Sequence, residues 1–174
     1  MENIGRLNDK LDIKILILFI LRHLPDQLES DKLFELLTRD SVISYFDYIE
    51  CLTELEATGH VQRQGEGYRV TEKGERDGAA IESTLPYTLR SKAEAAAAAV
   101  AAAMRREAMI KTEHRRTKGG WVTELALGDG LGEMLHLRLL VADEDMARRL
   151  EERFRRDPEG IYMRIVTLLE ESGS

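Results

Sequence analysis

Residues 41–74 constrain the fold of this chain more than any other stretch. Tyr48, Cys51, Leu52 and Leu55 stand at i, i+3, i+4 and i+7, which predicts one helix with a single apolar stripe. Gly59 is suited to the left-handed residue that stops such a helix, because it has no Cβ to clash. Beyond it, residues 61–63 and 68–70 read as short strands on either side of Gln64-Gly-Glu-Gly67, whose glycines suit the positive φ of a tight hairpin. Thr71 then offers a side-chain oxygen to cap a following helix, expected to run to about Ser83.

A helix, a reversal, a two-stranded ribbon and a capped helix form the recognition helix and wing of a winged helix-turn-helix. The order and spacing carry this reading, not any one residue. What precedes is consistent with it. Residues 1–9 read as a loose arm in which Ile4 and Leu7 can tuck against a neighbour. Residues 12–24 are apolar nearly all the way round and predict a buried first helix ended by Pro25. Ser30 or Asp31 is placed to cap a second helix carrying Leu33, Phe34, Leu36 and Leu37. Arg39-Asp-Ser41 makes the turn into the third. Ile15, Phe19, Leu37, Leu52 and Leu55 close a small core.

The second half has a different pattern. Pro86 suits the first turn of a helix, and the alanine-rich run after it has strong helix propensity; a low-complexity linker is the alternative. Residues 95–103 offer a surface on which another helix can approach closely. Residues 109–117, 121–127 and 134–141 read as three strands separated by Lys118-Gly-Gly120 and Gly128-Asp-Gly-Leu-Gly132, an antiparallel meander. Asp143 caps a helix striped by Met146, Leu150 and Phe154. Asp157-Pro158 opens a last helix whose Ile161, Ile165, Leu168 and Leu169 are expected to face inward. The expected fold class is α+β. A winged helix-turn-helix domain (residues 1–84) is joined by a helix to a three-stranded antiparallel sheet packed with helices (residues 85–174).

Composition limits the function. The chain has 25 Lys and Arg against 32 Asp and Glu, a formal charge of −7. Within residues 1–78 the count is ten basic against sixteen acidic residues. Affinity for nucleic acid rests largely on Lys and Arg displacing counterions, so any such binding here must use local patches. A single cysteine, Cys51, leaves no internal disulfide; it reads as core packing, with a redox role as the alternative. The start carries no secretory pattern, and residues 15–21 are too short an apolar run to span a bilayer. A soluble, cytoplasmic protein without a membrane partner is expected. His23, His60, His114 and His136 lie in different elements without metal-ligand spacing, and no phosphate loop or nucleophile elbow occurs. Gly128-Asp-Gly-Leu-Gly132 leads into no helix. Neither an enzyme nor a cofactor or metal site is expected.

The candidate double-stranded DNA contacts follow from the geometry of a recognition helix, whose N-terminal part enters the major groove. Ser44, Tyr45, Phe46 and Asp47 stand at that leading end, where Asp47 can accept from cytosine N4. Arg39 at the turn, Arg63 and Arg69 on the ribbon and Lys73 on the next helix are the nearby positive charges. Against DNA stand the carboxylates Asp47, Glu50 and Glu54. The rival reading is a protein-binding module in which Ile43 and Phe46 form an apolar contact rimmed by charge. The C-terminal domain is either a platform for a homodimer or a sensor with Trp121, His136 and Arg138 around a ligand. The most basic stretch, Arg105-Arg106, Lys111, Arg115-Arg116 and Lys118, is a second place for nucleic acid or the charged face of an edge strand.

On these residues a resemblance can be stated. Residues 52–61, Leu-Thr-Glu-Leu-Glu-Ala-Thr-Gly-His-Val, and 68–74, Tyr-Arg-Val-Thr-Glu-Lys-Gly, resemble bacterial winged-helix regulators of the PadR and MarR types. Tyr45-Phe46, Leu85-Pro-Tyr-Thr-Leu-Arg90 and Pro158-Glu-Gly-Ile-Tyr162 make the whole chain similar to an uncharacterised bacterial family, a domain of unknown function that couples such a winged helix to a C-terminal α+β domain. The resemblance covers residues 11–169. It implies the fold, and by analogy a transcriptional regulator.

Overall fold

Helix α1 (Lys10–Arg22) is enclosed on almost every side: Ile13 and all residues from 15 to 21 are at most 4% exposed. This is the central element of the first unit in the computed structural model, which describes Leu7 and residues 9–171. Burying so many leucines and isoleucines, at about 1.5–3 kcal/mol each, lets this helix form despite its β-branched residues. Asp9 caps it by accepting from the Leu11 N–H, and the helix stops at Arg22, before Pro25. Leu7 packs half-buried against the same core; Ile4 lies outside the described residues.

Around α1 stand a two-residue strand β1 (Leu28–Glu29), α2 (Ser30–Thr38), α3 (Tyr45–Ala57), β2 (Val61–Gln64), β3 (Gly67–Val70) and α4 (Glu72–Ile81). The stripe on α3 is as spaced: Tyr48, Cys51, Leu52 and Leu55 are all buried. That helix ends at Gly59, whose φ is +75°. Strands β2 and β3 pair antiparallel through Gly65 and Glu66, with Val61 opposite Val70 and Arg63 opposite Tyr68. Only Gly65 of the two hairpin glycines takes positive φ, at +63°. Strand β1 adds a third strand beside β3, Leu28 opposite Tyr68. Thr71 caps α4 by accepting from the Gly74 N–H. The result is the winged helix-turn-helix that the spacing predicts.

The expected cap of α2 is corrected. Its N-cap is Glu29, with no side-chain bond, and the Ser30 hydroxyl instead lies 3.0 Å from the Tyr48 hydroxyl. Tertiary packing against α3 claims that oxygen. After a 3-10 turn (Glu82–Thr84), the alanine-rich run is a 22-residue helix, α5 (Tyr87–Ala108). Leu85, Leu89, Ala93 and Ala97 join the core around α1.

The chain divides into two compact units, residues 1–104 and 105–174. In the second, β4 (Ile110–Thr117), β5 (Gly120–Gly128) and β6 (Glu133–Val141) form an antiparallel sheet in that order, followed by α6 (Glu144–Arg156) and α7 (Pro158–Glu171). Asp143 caps α6, accepting from the Met146 N–H at 2.7 Å. Ile110, Leu125, Leu127 and Phe154 make the core, joined by Leu135, Leu137, Ile161 and Tyr162. Among the described residues the chain thus has seven α-helices and two three-stranded antiparallel sheets, an α+β protein.

Two expectations for this unit are corrected. Leu168 and Leu169, expected to face inward, are 63% and 73% exposed. Ile161, Ile165 and Leu169 share a side of α7 by their fourfold spacing, but the last turns carry that side past the packed core. Trp121, His136 and Arg138 do not meet around a ligand. Trp121 pairs with Val141, whereas His136 and Arg138 pair with Ala126 and Glu124. Strand alternation puts these sets on opposite faces.

Candidate nucleic-acid interface

The leading end of α3 is built by a local cap. The Ser44 hydroxyl accepts from the Asp47 N–H at 3.0 Å and donates to Asp47 Oδ2 at 2.7 Å. Both side chains are occupied in starting the helix, and the Asp47 carboxylate holds its negative charge at the positive end of the helix dipole. Tyr45 packs edge-on against Phe34 at 5.3 Å and is half exposed. Phe46 projects outward, 85% exposed, and Val42, in the segment before the helix, is 74% exposed. Sequence reasoning missed Val42, which precedes the helix and belongs to no periodic pattern.

Ile43 requires a correction. Expected on the exposed side with Phe46, it is 8% exposed and part of the core around α1. It lies in the extended segment before α3 rather than on the helix, so the helical stripe does not predict its direction.

The acidic flank of α3 is matched by α1. Lys10 Nζ lies 2.6 Å from Glu50 Oε1, and Lys14 pairs with Glu54. The fourfold spacing of Lys10 and Lys14 along one helix answers that of Glu50 and Glu54 along the other. That matching was a signal in the sequence, unread because it joins residues forty apart. Hydrogen bonding to Glu50 raises the Lys10 ammonium above its ordinary value, and hydrogen bonding to Lys14 holds the Glu54 carboxyl below the usual carboxylate range. Two of the three carboxylates that stand against phosphate on this helix are therefore paired, and the third, Asp47, is held by the Ser44 cap.

The four predicted cations are dispersed. Arg39 is exposed where α2 ends. Strand alternation puts Arg63 and Arg69 on opposite faces of the ribbon, since Arg63 pairs with Tyr68 and Arg69 with Gln62. Arg63 shares its face with buried Val61, donates to the Gly65 carbonyl at 3.2 Å and lies over the Tyr68 ring at 5.9 Å. Arg69 and Gln62 are exposed on the other face. Lys73 donates to the Thr58 carbonyl at 2.7 Å, at the far end of α3, about 20 Å from its start at 1.5 Å per residue. The structure brings Ser44, Tyr45, Phe46 and Asp47 together and leaves Lys73 away from them.

The basic stretch of the second unit is divided. Arg106 pairs with Glu159 at 3.1 Å and Arg115 with Glu124 at 3.3 Å. Cys51 is buried, its thiol donating to the Lys10 carbonyl at 3.5 Å, and burial pushes it up from its ordinary value. Among the described residues no group of three His, Cys, Asp or Glu is placed to hold a metal ion, and no helix is long and apolar enough to cross a membrane.

No curated protein and no solved structure matches the chain. A family model described as a domain of unknown function, DUF4364, matches residues 13–169. The chain therefore belongs to the DUF4364 family, whose matched span takes in both units.

Proposed function

We propose that the protein is a DNA-binding transcriptional regulator of the cytoplasm that reads duplex DNA through its winged helix-turn-helix, in the manner of PadR-like and MarR-like proteins. One observation carries this reading. The first turn of α3 is solvent-facing at Tyr45 and Phe46, while the carboxylates along its flank are paired with Lys10 and Lys14. A recognition helix enters the major groove by this end, with Arg39 beside it and Arg69 on the outer face of the wing to meet phosphates. Apolar contact from Phe46 suits the thymine methyl group. The protein acts as a homodimer, since a two-fold arrangement of reading heads matches a two-fold site.

The test is fluorescence anisotropy of the full chain with random and native-upstream duplexes at 50 and 200 mM salt. Binding that weakens steeply with salt supports the reading; absence of binding at 50 mM salt overturns it. Light scattering on the same sample checks the dimer.

A second reading has its own support: Val42 and Phe46, close in sequence at the start of α3, are both exposed apolar side chains, and an apolar contact rimmed by charge suits another protein. On that reading Phe46→Ser abolishes partner binding in a chain that never binds duplex.

A further inference from the structure

We propose that the outer face of α6 is a second nucleic-acid contact, binding the phosphate backbone through Arg149, Arg153 and Arg156. This rests on the regulator reading for its ligand but concerns a different unit of the chain.

These three arginines stand at i, i+4 and i+7 of α6, one stripe of the helix. All three are exposed. The inward stripe is Ala147, Leu150 and Phe154, and the remaining arginines of the helix are engaged elsewhere. Arg148 pairs with Glu144, and Arg155 pairs with Glu107 and donates to Thr112 Oγ1 at 2.8 Å. Arg149, Arg153 and Arg156 make no ion pair or hydrogen bond among the described residues. In a chain with seven more acidic than basic residues, carboxylates are abundant, and Asp145 and Glu152 lie on this same side of α6, yet among the described residues neither pairs with the three arginines. Arg164 of α7 joins the three around a surface depression of about 470 Å³. Of the two carboxylates there, Asp157 is committed: it accepts from the Gly160 N–H at 3.1 Å and pairs with Arg164 at 3.4 Å. Glu152, three residues after Arg149 and four before Arg156, lies within the stripe, and the arginines still outnumber the carboxylates of this face.

The ligand class follows from residue type and spacing. Helix α6 carries five basic residues and α7 adds Arg164 to the depression, and none of the six is lysine; the planar guanidinium fork matches phosphate oxygens in a way an ammonium does not. From Arg149 to Arg156 the helix rises about 10 Å at 1.5 Å per residue. One strand of a duplex passes about three phosphates over that length, at 3.4 Å each along the axis. Three evenly placed cations fit a repeating polyanion better than a single small anion.

The experiment compares wild type, Arg149→Gln/Arg153→Gln/Arg156→Gln, the matching triple lysine variant and Arg69→Ala. All are full chains, titrated into a fluorescein-labelled 30-base-pair duplex between 50 and 200 mM salt. Loss of three phosphate contacts lowers the salt slope of log K by about 2.7 and weakens binding at least about tenfold at 100 mM salt. The lysine variant keeps the slope. A glutamine variant with wild-type affinity and slope overturns the inference while leaving the winged helix untouched. Loss of binding in Arg69→Ala alone has the same meaning. A wild-type chain that binds no duplex at 50 mM salt overturns both readings. Thermal melting of each variant separates lost contact from lost fold, and a glutamine variant that melts early is replaced by the single substitutions, each expected to lower the slope by about 0.9.

Discussion

The hydroxyl of Tyr48 donates to the carbonyl of Ser30 at 2.8 Å, tying the first turns of α3 to the first residue of α2. The ring is fully buried, between Phe34 at 5.1 Å and Tyr45 at 6.1 Å. This bond sets how the two helices of the helix-turn-helix meet, and so how the leading end of α3 is presented.

Replacing Tyr48 with Phe keeps the ring and removes the donor. The Ser30 carbonyl loses a bond in a partly buried site, which costs about 1 kcal/mol. Urea unfolding should show a lower midpoint with an unchanged slope. An equal midpoint would mean that water reaches Ser30.

Burial pushes the Tyr48 phenol up to about 12, against a smaller opposing effect of its bond to Ser30. Its folded-state value is raised above the unfolded one, near 10. The stabilisation is therefore fully present below pH 10 and is lost as pH rises from 10 through about 12. Ultraviolet titration at 295 nm should show an ionisation step near pH 12 that is missing in Tyr48→Phe.

Gly74 sits where the wing meets α4. A Cβ there would lie 2.1 Å from the His60 carbonyl oxygen and 2.7 Å from a Val70 methyl carbon. That carbonyl also accepts from the Thr71 N–H at 3.0 Å, so it cannot move without opening the base of the ribbon. Gly74→Ala should lower stability by about 1–3 kcal/mol, whereas Gly119→Ala, with nothing within 4 Å, should leave the melting temperature nearly unchanged. Equal melting temperatures for the two would refute the close approach.

The ribbon's two arginines should separate by function. Arg69→Ala should weaken duplex binding evenly across sequences and lower the salt slope by about 0.9 without changing the melting temperature. Arg63→Ala should cost about 0.5–1 kcal/mol through its lost contact with Tyr68. Anisotropy and melting on the same samples test this, and the opposite pattern would reverse the faces assigned to the wing.

Lys10→Gln with Lys14→Gln should leave stability almost unchanged, because exposed ion pairs are screened by water. It should nonetheless weaken duplex binding, since Glu50 and Glu54 are then unpaired charges near phosphate. Unaltered affinity would show that this flank of α3 stays clear of the duplex.

Much of this architecture was legible because it is written in local pattern. The α3 stripe from Tyr48 to Leu55, the Gly59 stop, the Thr71 cap and the glycine-turned meander each involve residues within a few positions of one another, where periodicity and φ preference act directly. Strand β1 was not legible, because two residues have no period to detect; it exists only through pairing with β3. The cap by Ser44 hid behind its candidacy as a base reader. One hydroxyl serves either role, and only the position of Asp47 shows which the free protein uses.

By itself, the order of residues determined the elements other than β1, their succession and the α+β class, since these follow from backbone sterics and from apolar spacing along single segments. Which side chains meet was decided in three dimensions. The burial of Ile43, the exposure of Leu169, the pairing of Glu50 and Glu54 with α1 lysines, and the unpaired arginine stripe on α6 all depend on how each element is rotated and where its neighbours end. A repeating pattern specifies a face but not its partner, and the partner determines whether a charge is neutralised or left for a ligand.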